Sequence, residues 1–464
     1  MAVPYWVEDA IFYQIFPDRF AHGDPKNHLP DMLAWDHAPT PYGFQGGDLR
    51  GIIQRFDYLL DLGINAIYLN PIFQSTSNHR YSTTDYFKID SKLGDLHDFQ
   101  VLLQVAHQNN VKIVLDGVFN HTGRGFFAFN DLLENQEKSL YKDWFYVLKY
   151  PVDAYSTGDA QDYLAWWKYK SLPKLNPSNP PTRKYLLDVA RYWIEQGADG
   201  WRLDVPNEID DDSFWSEFRH VVKKANPEAY ILGEIWEPLP RWVGDKHFDG
   251  LMNYPLREAI LYFLTDKLNA AQFMERIAKL ITIYPRENAY ANLFSLGTHD
   301  TERVLTALNG NILKVKLAFL FQFSYPGCPS IYYGDEIGLD GGKDPECRKT
   351  FPWSESGWDH ELRAYVQKLV YLRKSHTALR RGNFTKILSD DSRGCAAFAR
   401  TLGQEKMLVV MNASPTKRTL PLPVGELGFE DGHILHNLIG DGEFIVSGVD
   451  LPLSLPAWGG LLLT

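Results

Sequence analysis

"GWRLDVPNEID", residues 200–210, is the stretch on which the reading of this chain turns. As a strand it would point Trp201, Leu203 and Val205 to one side and Arg202 and Asp204 to the other. Helical spacing precedes it in "TRKYLLDVARYWIEQG" (182–197) and follows it in "DDSFWSEFRHVVKKAN" (211–226). A strand set between helices belongs to a parallel sheet, where both of its faces are covered. Burying an arginine and an aspartate there is costly unless they pair and serve a purpose. The pair is therefore expected at the strand's carboxyl end, where such sheets carry their sites.

The same alternation runs outward in both directions. Strands are expected at "AIFYQIF" (10–16), "INAIYLNP" (64–71), "VKIVLDGVFNH" (111–121), "AYILGEIW" (229–236), "FDGLMNY" (248–254), "AYANLFSLG" (289–297) and "PSIYYGDE" (329–336). Helical patterns fall at "LRGIIQRFDYLLDLG" (49–63), with a glycine stop, and at "LHDFQVLLQVAHQNN" (96–110). Eight βα units favour a closed (β/α)₈ TIM barrel within the α/β class over a doubly wound sheet. About sixty residues rich in Trp, Tyr and Pro separate the third strand from its helix, too many for a simple loop. They are read as an inserted subdomain, residues 121–176, over the mouth of a barrel made from 1–120 and 177–375. Beyond it, short runs such as "CAAFART" (395–401), "MLVVMN" (407–412) and "GLLL" (460–463) predict a C-terminal antiparallel β-sandwich over 376–464.

Bulk properties set the limits. A net charge of −11 argues against nucleic acid or an anionic membrane as partner. Three cysteines without a CxxC pair suggest neither a disulfide framework nor a zinc site. The N-terminal residues lack a basic stretch followed by an apolar run, and no apolar stretch reaches spanning length. A cytoplasmic location is the expectation. Aromatic residues make up 14% of the chain, enough to fill a core and still leave rings for stacking on ligands.

Polar residues gather where the strands end: Asp116 with Asn120 and His121, Arg202 with Asp204, Glu234, and His299 with Asp300. Any one carboxylate could be a helix cap. Four groups at the same end of separate strands strain that explanation. Several carboxylates with an arginine and histidines, lacking metal-ligand spacing, suit glycoside hydrolysis, which needs one carboxylate for attack and one carboxyl as acid. Arg202 shares a strand face with Asp204 and is expected to hold it ionised. Glu234 has Ile235 and Trp236 beside it, and burial there would raise its pKa toward that of a working acid.

"DGVFNHTG" (116–123), "DGWRLDV" (199–205), "LGEIW" (232–236) and "FSLGTHDTERV" (294–304) resemble the four signature regions of the α-amylase family of glycoside hydrolases, family 13. "SLPKLN" (171–176), "SNHRYSTTDY" (77–86) and "MNYP" (252–255) are similar to the cyclomaltodextrinase, neopullulanase and maltogenic amylase group. The resemblance implies Asp204 as nucleophile, Glu234 as acid/base and Asp300 as the third carboxylate, which grips sugar hydroxyls. It implies substrate contacts from His79, Tyr81, Asp116, His121, Arg202, Trp236 and His299. The activity it implies is retaining hydrolysis of α-1,4-glucosidic bonds in cyclodextrins, maltodextrins or pullulan, with transglycosylation or α-1,6 cleavage as side activities. The alternatives are a glucan transglycosylase or debranching enzyme of the same family and, from another class, a non-catalytic glucan-binding or partner subunit. The presence of all three acids argues against that last reading.

The sequence also departs from the group. Its extra N-terminal β domain is missing ahead of the first strand, so a monomer, or a dimer not using such a domain, is expected. Glu237 stands where the group often has His after "EIW", and Pro206 where Ala is common. "FAHGDPKNHL" (20–29) with "GGD" (46–48) resembles a calcium loop, with Asp24, Asn27, Gly46 and Asp48 as oxygen ligands. An Asx-rich turn is the other reading of that segment. No cofactor is required for the chemistry; structural calcium is the one metal the resemblance brings in. Trp166, Trp167 and Tyr169 are open to stacking on sugars or to burial in the subdomain. Glu336 is read as structural.

Overall fold

The computed structural model describes residues 3–28 and 30–464; Met1, Ala2 and Leu29 lie outside the described residues. Eight parallel strands form the central sheet: β1 (Phe12–Ile15), β2 (Ala66–Leu69), β3 (Lys112–Gly117), β4 (Gly200–Leu203), β5 (Tyr230–Gly233), β6 (Gly250–Leu251), β7 (Leu293–Ser295) and β8 (Cys328–Tyr332). Neighbours pair in sequence order, and β8 pairs β1. The last gap closes where Met252 bridges Leu293 in parallel and the Asn253 N–H donates to the Leu293 carbonyl at 2.7 Å. The expected barrel is therefore present, although β6 is only two residues long.

Apolar residues leave the strands outward and meet the surrounding helices. Trp201 is buried and its indole N–H donates to the Ala190 carbonyl of the helix Pro180–Glu195. Strands β4 and β5 approach closely at Gly200, where a Cβ would lie 2.3 Å from the Tyr230 carbonyl oxygen. The expected helix over 49–63 is two helices, Leu49–Gln54 and Phe56–Leu62, meeting at Arg55. Arg55's guanidinium lies over the Trp353 ring at 4.3 Å at this break. Gly63 ends the second helix at φ +88°, as a glycine stop should. An antiparallel pair, Phe73–Ser75 with Thr83–Ile89, follows β2 and was not anticipated as strands. Its connecting turn carries His79 and Tyr81.

After β3, residues 121–176 hold one helix, Phe127–Asn135, with short 3-10 turns and isolated bridges, among them His121 with Lys174. The C-terminal region forms a four-stranded antiparallel sheet, Asn383–Asp390, Cys395–Leu402, Glu405–Asn412 and Gly460–Leu463. Its faces alternate with period two. Ala396, Phe398 and Val409 join the barrel's core, while Ala397, Leu408 and Val410 pack with Leu420, Leu422, Leu451 and Leu453 of a second sheet. A buried arginine ties the two regions together. Arg400 of the C-terminal sheet donates to the barrel carbonyl of Ser324 and to those of Leu379 and Gly382, while Arg373, within the barrel, donates to those of Phe323 and Gly327. No helix among the described residues is long and apolar enough to cross a membrane.

Candidate active site

The register of the barrel assembles the site. Asp116 on β3 is directly paired with Arg202 on β4, so both side chains point inward at one level. Asp204 follows β4 and Glu234 follows β5 by one residue each; His299 and Asp300 follow β7. All lie at the carboxyl ends of the strands.

One guanidinium organises three carboxyls. Arg202, fully buried, places Nη1 2.8 Å from Asp116 and 3.1 Å from Asp204, and Nη2 2.8 Å from Glu234. Because the cation is shared, it does not settle the charge of Asp204 by itself. Burial first, and then Glu234, push the Asp204 carboxyl well above the usual carboxylate range, while Arg202 works against both. Arg202 acts on Asp204 in the expected direction, and three buried acids share that one positive group. Glu234 is raised to about 7, chiefly by burial, with Arg202 opposing. The two acids titrate as a pair.

Val205 corrects an expectation. It does not continue the strand: β4 stops at Leu203, and Val205 sits in the left-handed region at φ +35°, ψ +52°. A β-branched residue there is strained. The bend turns its N–H toward Glu234 Oε2, at 3.1 Å, so it helps to place the acid. Pro206 then opens a 3-10 turn, Pro206–Glu208, whose Glu208 carbonyl accepts from Lys174 at 2.7 Å.

Asp300 is held below its ordinary pKa: burial would raise it, but His299 and Arg348 outweigh that. Its carboxylate lies 3.0 Å from His299 Nε2 and 3.2 Å from Arg348 Nη2, and its side chain is 33% exposed. His299 is pushed down to about 3, mainly by burial, and so is neutral. Gln14 and Asn70 side-chain amides donate to its Nδ1 at 3.0 and 3.1 Å. The remaining proton then belongs on Nε2, which faces Asp300 and the Tyr81 hydroxyl (2.6 Å). Tyr81 in turn donates to Asp116 at 2.8 Å, as does Tyr68 at 2.6 Å. His79 and His121 are likewise neutral, each lowered to about 3 by burial above all.

His79 lies beside Tyr81, ring centroids 5.8 Å apart. His121 stacks on Trp166 (5.4 Å) and Trp166 on Trp167 (4.6 Å), which is 72% exposed with φ +46°. The tryptophans thus form an open stack leading away from His121 rather than a subdomain core. Trp236 stands apart from the charged cluster, its ring flat on Tyr254 at 3.7 Å. Sequence reasoning missed Gln14, Tyr68, Asn70 and Arg348. The first three are polar residues in or just after β1 and β2, a detectable signal; Arg348 ends a short 3-10 turn, Glu346–Arg348, that gives none.

The four residues expected as calcium ligands form a different structure. Asp48 caps the helix Leu49–Gln54 by accepting from the Gly51 N–H, and its other oxygen accepts from the Asp24 N–H and the Asn27 amide. The Gly46 carbonyl is 3.0 Å from His22 Nδ1. Protein donors thus take up both Asp48 oxygens, an arrangement that matches an Asx-rich turn. Glu336 accepts from the hydroxyls of Tyr13 (2.7 Å) and Tyr58 (2.6 Å) and is buried, in keeping with a structural role.

The arrangement can hold a proton on one buried acid beside a second carboxyl, with a third gripping a ligand's hydroxyls. Comparison with known proteins agrees with that chemistry. Residues 14–368 match the model for the alpha amylase catalytic domain, and residues 384–462 that for the maltogenic amylase C-terminal domain. A cyclomaltodextrinase of Bacillus sp is 46% identical over 90% of this chain and 75% of its own. Neopullulanase 2 of Thermoactinomyces vulgaris is 44% identical over 92% of this chain and 73% of its own. The solved cyclic alpha-maltosyl-(1→6)-maltose hydrolase of Arthrobacter globiformis superposes with a TM-score of 0.91, at 38% identity and full coverage of both chains. The chain belongs to the α-amylase family of glycoside hydrolases.

Proposed function

We propose that the protein is a retaining hydrolase of α-1,4-glucosidic bonds in cyclodextrins and maltooligosaccharides. The observation that carries this reading is the pairing of Asp204 and Glu234 on opposite ends of the Arg202 guanidinium, with Glu234 raised to about 7. Two acids held on one fork supply the carboxylate and the acid that double displacement needs. Near neutral pH the pair retains a proton, and the productive form has it on Glu234. Positive charge growing at the anomeric carbon favours that form, because it stabilises ionised Asp204.

In the first step Asp204 attacks the anomeric carbon, the glycosidic bond breaks, and Glu234 passes its proton to the leaving oxygen. Water then attacks the glycosyl ester and gives a proton to Glu234, releasing Asp204. Asp300 and neutral His299, with its proton on Nε2, offer an acceptor and a donor to sugar hydroxyls, and Tyr81 offers its ring. The names of the relatives, cyclomaltodextrinase and neopullulanase, support this substrate class. The hydrolase of a cyclic α-1,6-linked maltose dimer supports α-1,6 cleavage as a second activity.

Reducing-sugar release from β-cyclodextrin and maltotriose, repeated with Asp204→Asn, tests the proposal. Turnover by the wild type, with a loss of at least about 10³-fold in the variant, is expected. No release from either substrate, or undiminished release by the variant, would overturn it.

A further inference from the structure

Arg80 stands between two residues of the site and is built unlike either. His79 and Tyr81 are half-buried, whereas Arg80 is 1% exposed and takes left-handed backbone at φ +63°. A long side chain in that region is uncommon and persists where its surroundings fix it. Here they act through the guanidinium. Arg80 Nη1 donates to the Asn78 carbonyl (2.7 Å), Nε lies 3.5 Å from Asp90, and the group sits 5.8 Å from the centre of the Phe44 ring. Asp90 is itself fixed. Buried just after the strand Thr83–Ile89, it accepts from the N–H groups of Ser75 (3.0 Å) and Lys92 (2.9 Å). The Thr83 hydroxyl donates to the Arg80 carbonyl (3.3 Å), which fastens the turn to the same strand.

The bend has a chemical result. It folds the chain so that the Tyr81 N–H donates to His79 Nδ1 at 3.1 Å, an Asx-like turn made by a histidine. His79 is neutral, lowered to about 3 by burial first and then by Arg348, with Arg80 adding to the same effect against Asp300. With Nδ1 accepting, its one proton sits on Nε2, so the ring is a donor of fixed orientation. Tyr81 has anchors of its own, its hydroxyl on Asp116 (2.8 Å) and its ring flat on His299 (5.3 Å, 6°). The His79 ring depends on the turn: besides the Tyr81 N–H, its Nδ1 lies 3.4 Å from the Ser77 hydroxyl, which itself accepts from the Arg80 N–H (3.2 Å). We propose that Arg80, anchored on Asp90, is a positioning residue that locks this turn and so holds His79 as a hydrogen-bond donor to the sugar at the cleaved bond. This role rests on the hydrolase reading above. Buried as it is, Arg80 acts through its neighbour.

The test is a double-mutant cycle on maltotriose hydrolysis. Arg80→Met keeps an unbranched chain and removes the guanidinium, while Lys92, 3.6 Å from Asp90, remains to balance that carboxylate. It should lower kcat/KM about 30-fold in the wild-type background but less than about 3-fold in His79→Ala, where the ring it places is already gone. Should Arg80→Met fail to fold, Asp90→Asn, which keeps the shape and removes the charge that anchors Arg80, carries the same cycle and should show the same coupling. Imidazole ¹⁵N resonances read the tautomer without turnover, the His79 signals being those lost in His79→Ala. The wild type should show a bare Nδ1 and a protonated Nε2, and the anchor variant a mixture of the two tautomers. Equal losses of activity in both backgrounds, or a tautomer unchanged in the variant, overturns the positioning role. A wild type inactive on maltotriose defeats the hydrolase reading instead, and the resonances still decide whether Arg80 sets the tautomer.

Discussion

Glu234→Gln should remove activity and, at alkaline pH, make the protein more stable. The carboxyl is 4% exposed and its pKa is about 7, against an ordinary value of 4.5. Below pH 4.5 the group is protonated in folded and unfolded chains alike, so burying it carries no ionisation penalty. As pH rises from 4.5 the unfolded chain ionises first, stability is lost progressively, and the loss is complete above about 7. The gap of 2.5 between the two values corresponds to about 3 kcal/mol at full development. Glutamine keeps the shape and cannot ionise. It also relieves the repulsion that Glu234 exerts on Asp204, and Asp116 and Asp204 remain to neutralise Arg202. Thermal melting of both proteins at pH 4.5 and pH 8, alongside turnover of maltotriose, is the assay. The variant should melt higher at pH 8, with the advantage shrinking toward pH 4.5, while turnover falls about 10²–10⁴-fold. An advantage independent of pH, or a variant that melts lower at pH 8, would refute the argument that burial raises this acid.

For the wild type, kcat/KM should decline as pH rises through about 7, because the acid must be protonated to assist departure; a profile flat to pH 9 would contradict that assignment. Val205→Gly should not destabilise the fold, since glycine accepts φ +35° without the cost of about 1–3 kcal/mol borne by a β-branched residue; a lower melting temperature would place the strain elsewhere. Chelation with EDTA should leave the melting temperature unchanged, because Asp48 is already spent on protein donors; a drop reversed by calcium would restore the cation reading.

The barrel and the cluster of acids at its mouth were legible because period and position carry them. Strands with buried faces read as short apolar runs, and charged residues at their ends stand out against that background. The shared guanidinium was not legible. Spacing puts Arg202 and Asp204 on one face, but only the β3–β4 register adds Asp116 to the same cation. The turn at Val205 was hidden for a similar reason, since a valine after Asp204 reads as more strand. What bends it is the β4–β5 connection, where its N–H meets Glu234. The calcium expectation came from resemblance, and the donors that fill Asp48 come from residues whose hydrogen bonds no pattern displays.

The central claim is a covalent glycosyl-enzyme on Asp204. Reaction with 5-fluoro-α-glucosyl fluoride, quenched by acid and digested, should yield a peptide containing Asp204 that carries one added 5-fluoroglucosyl group. A label on any other carboxylate, or cleavage of maltotriose with inversion and no labelled peptide, would contradict the account.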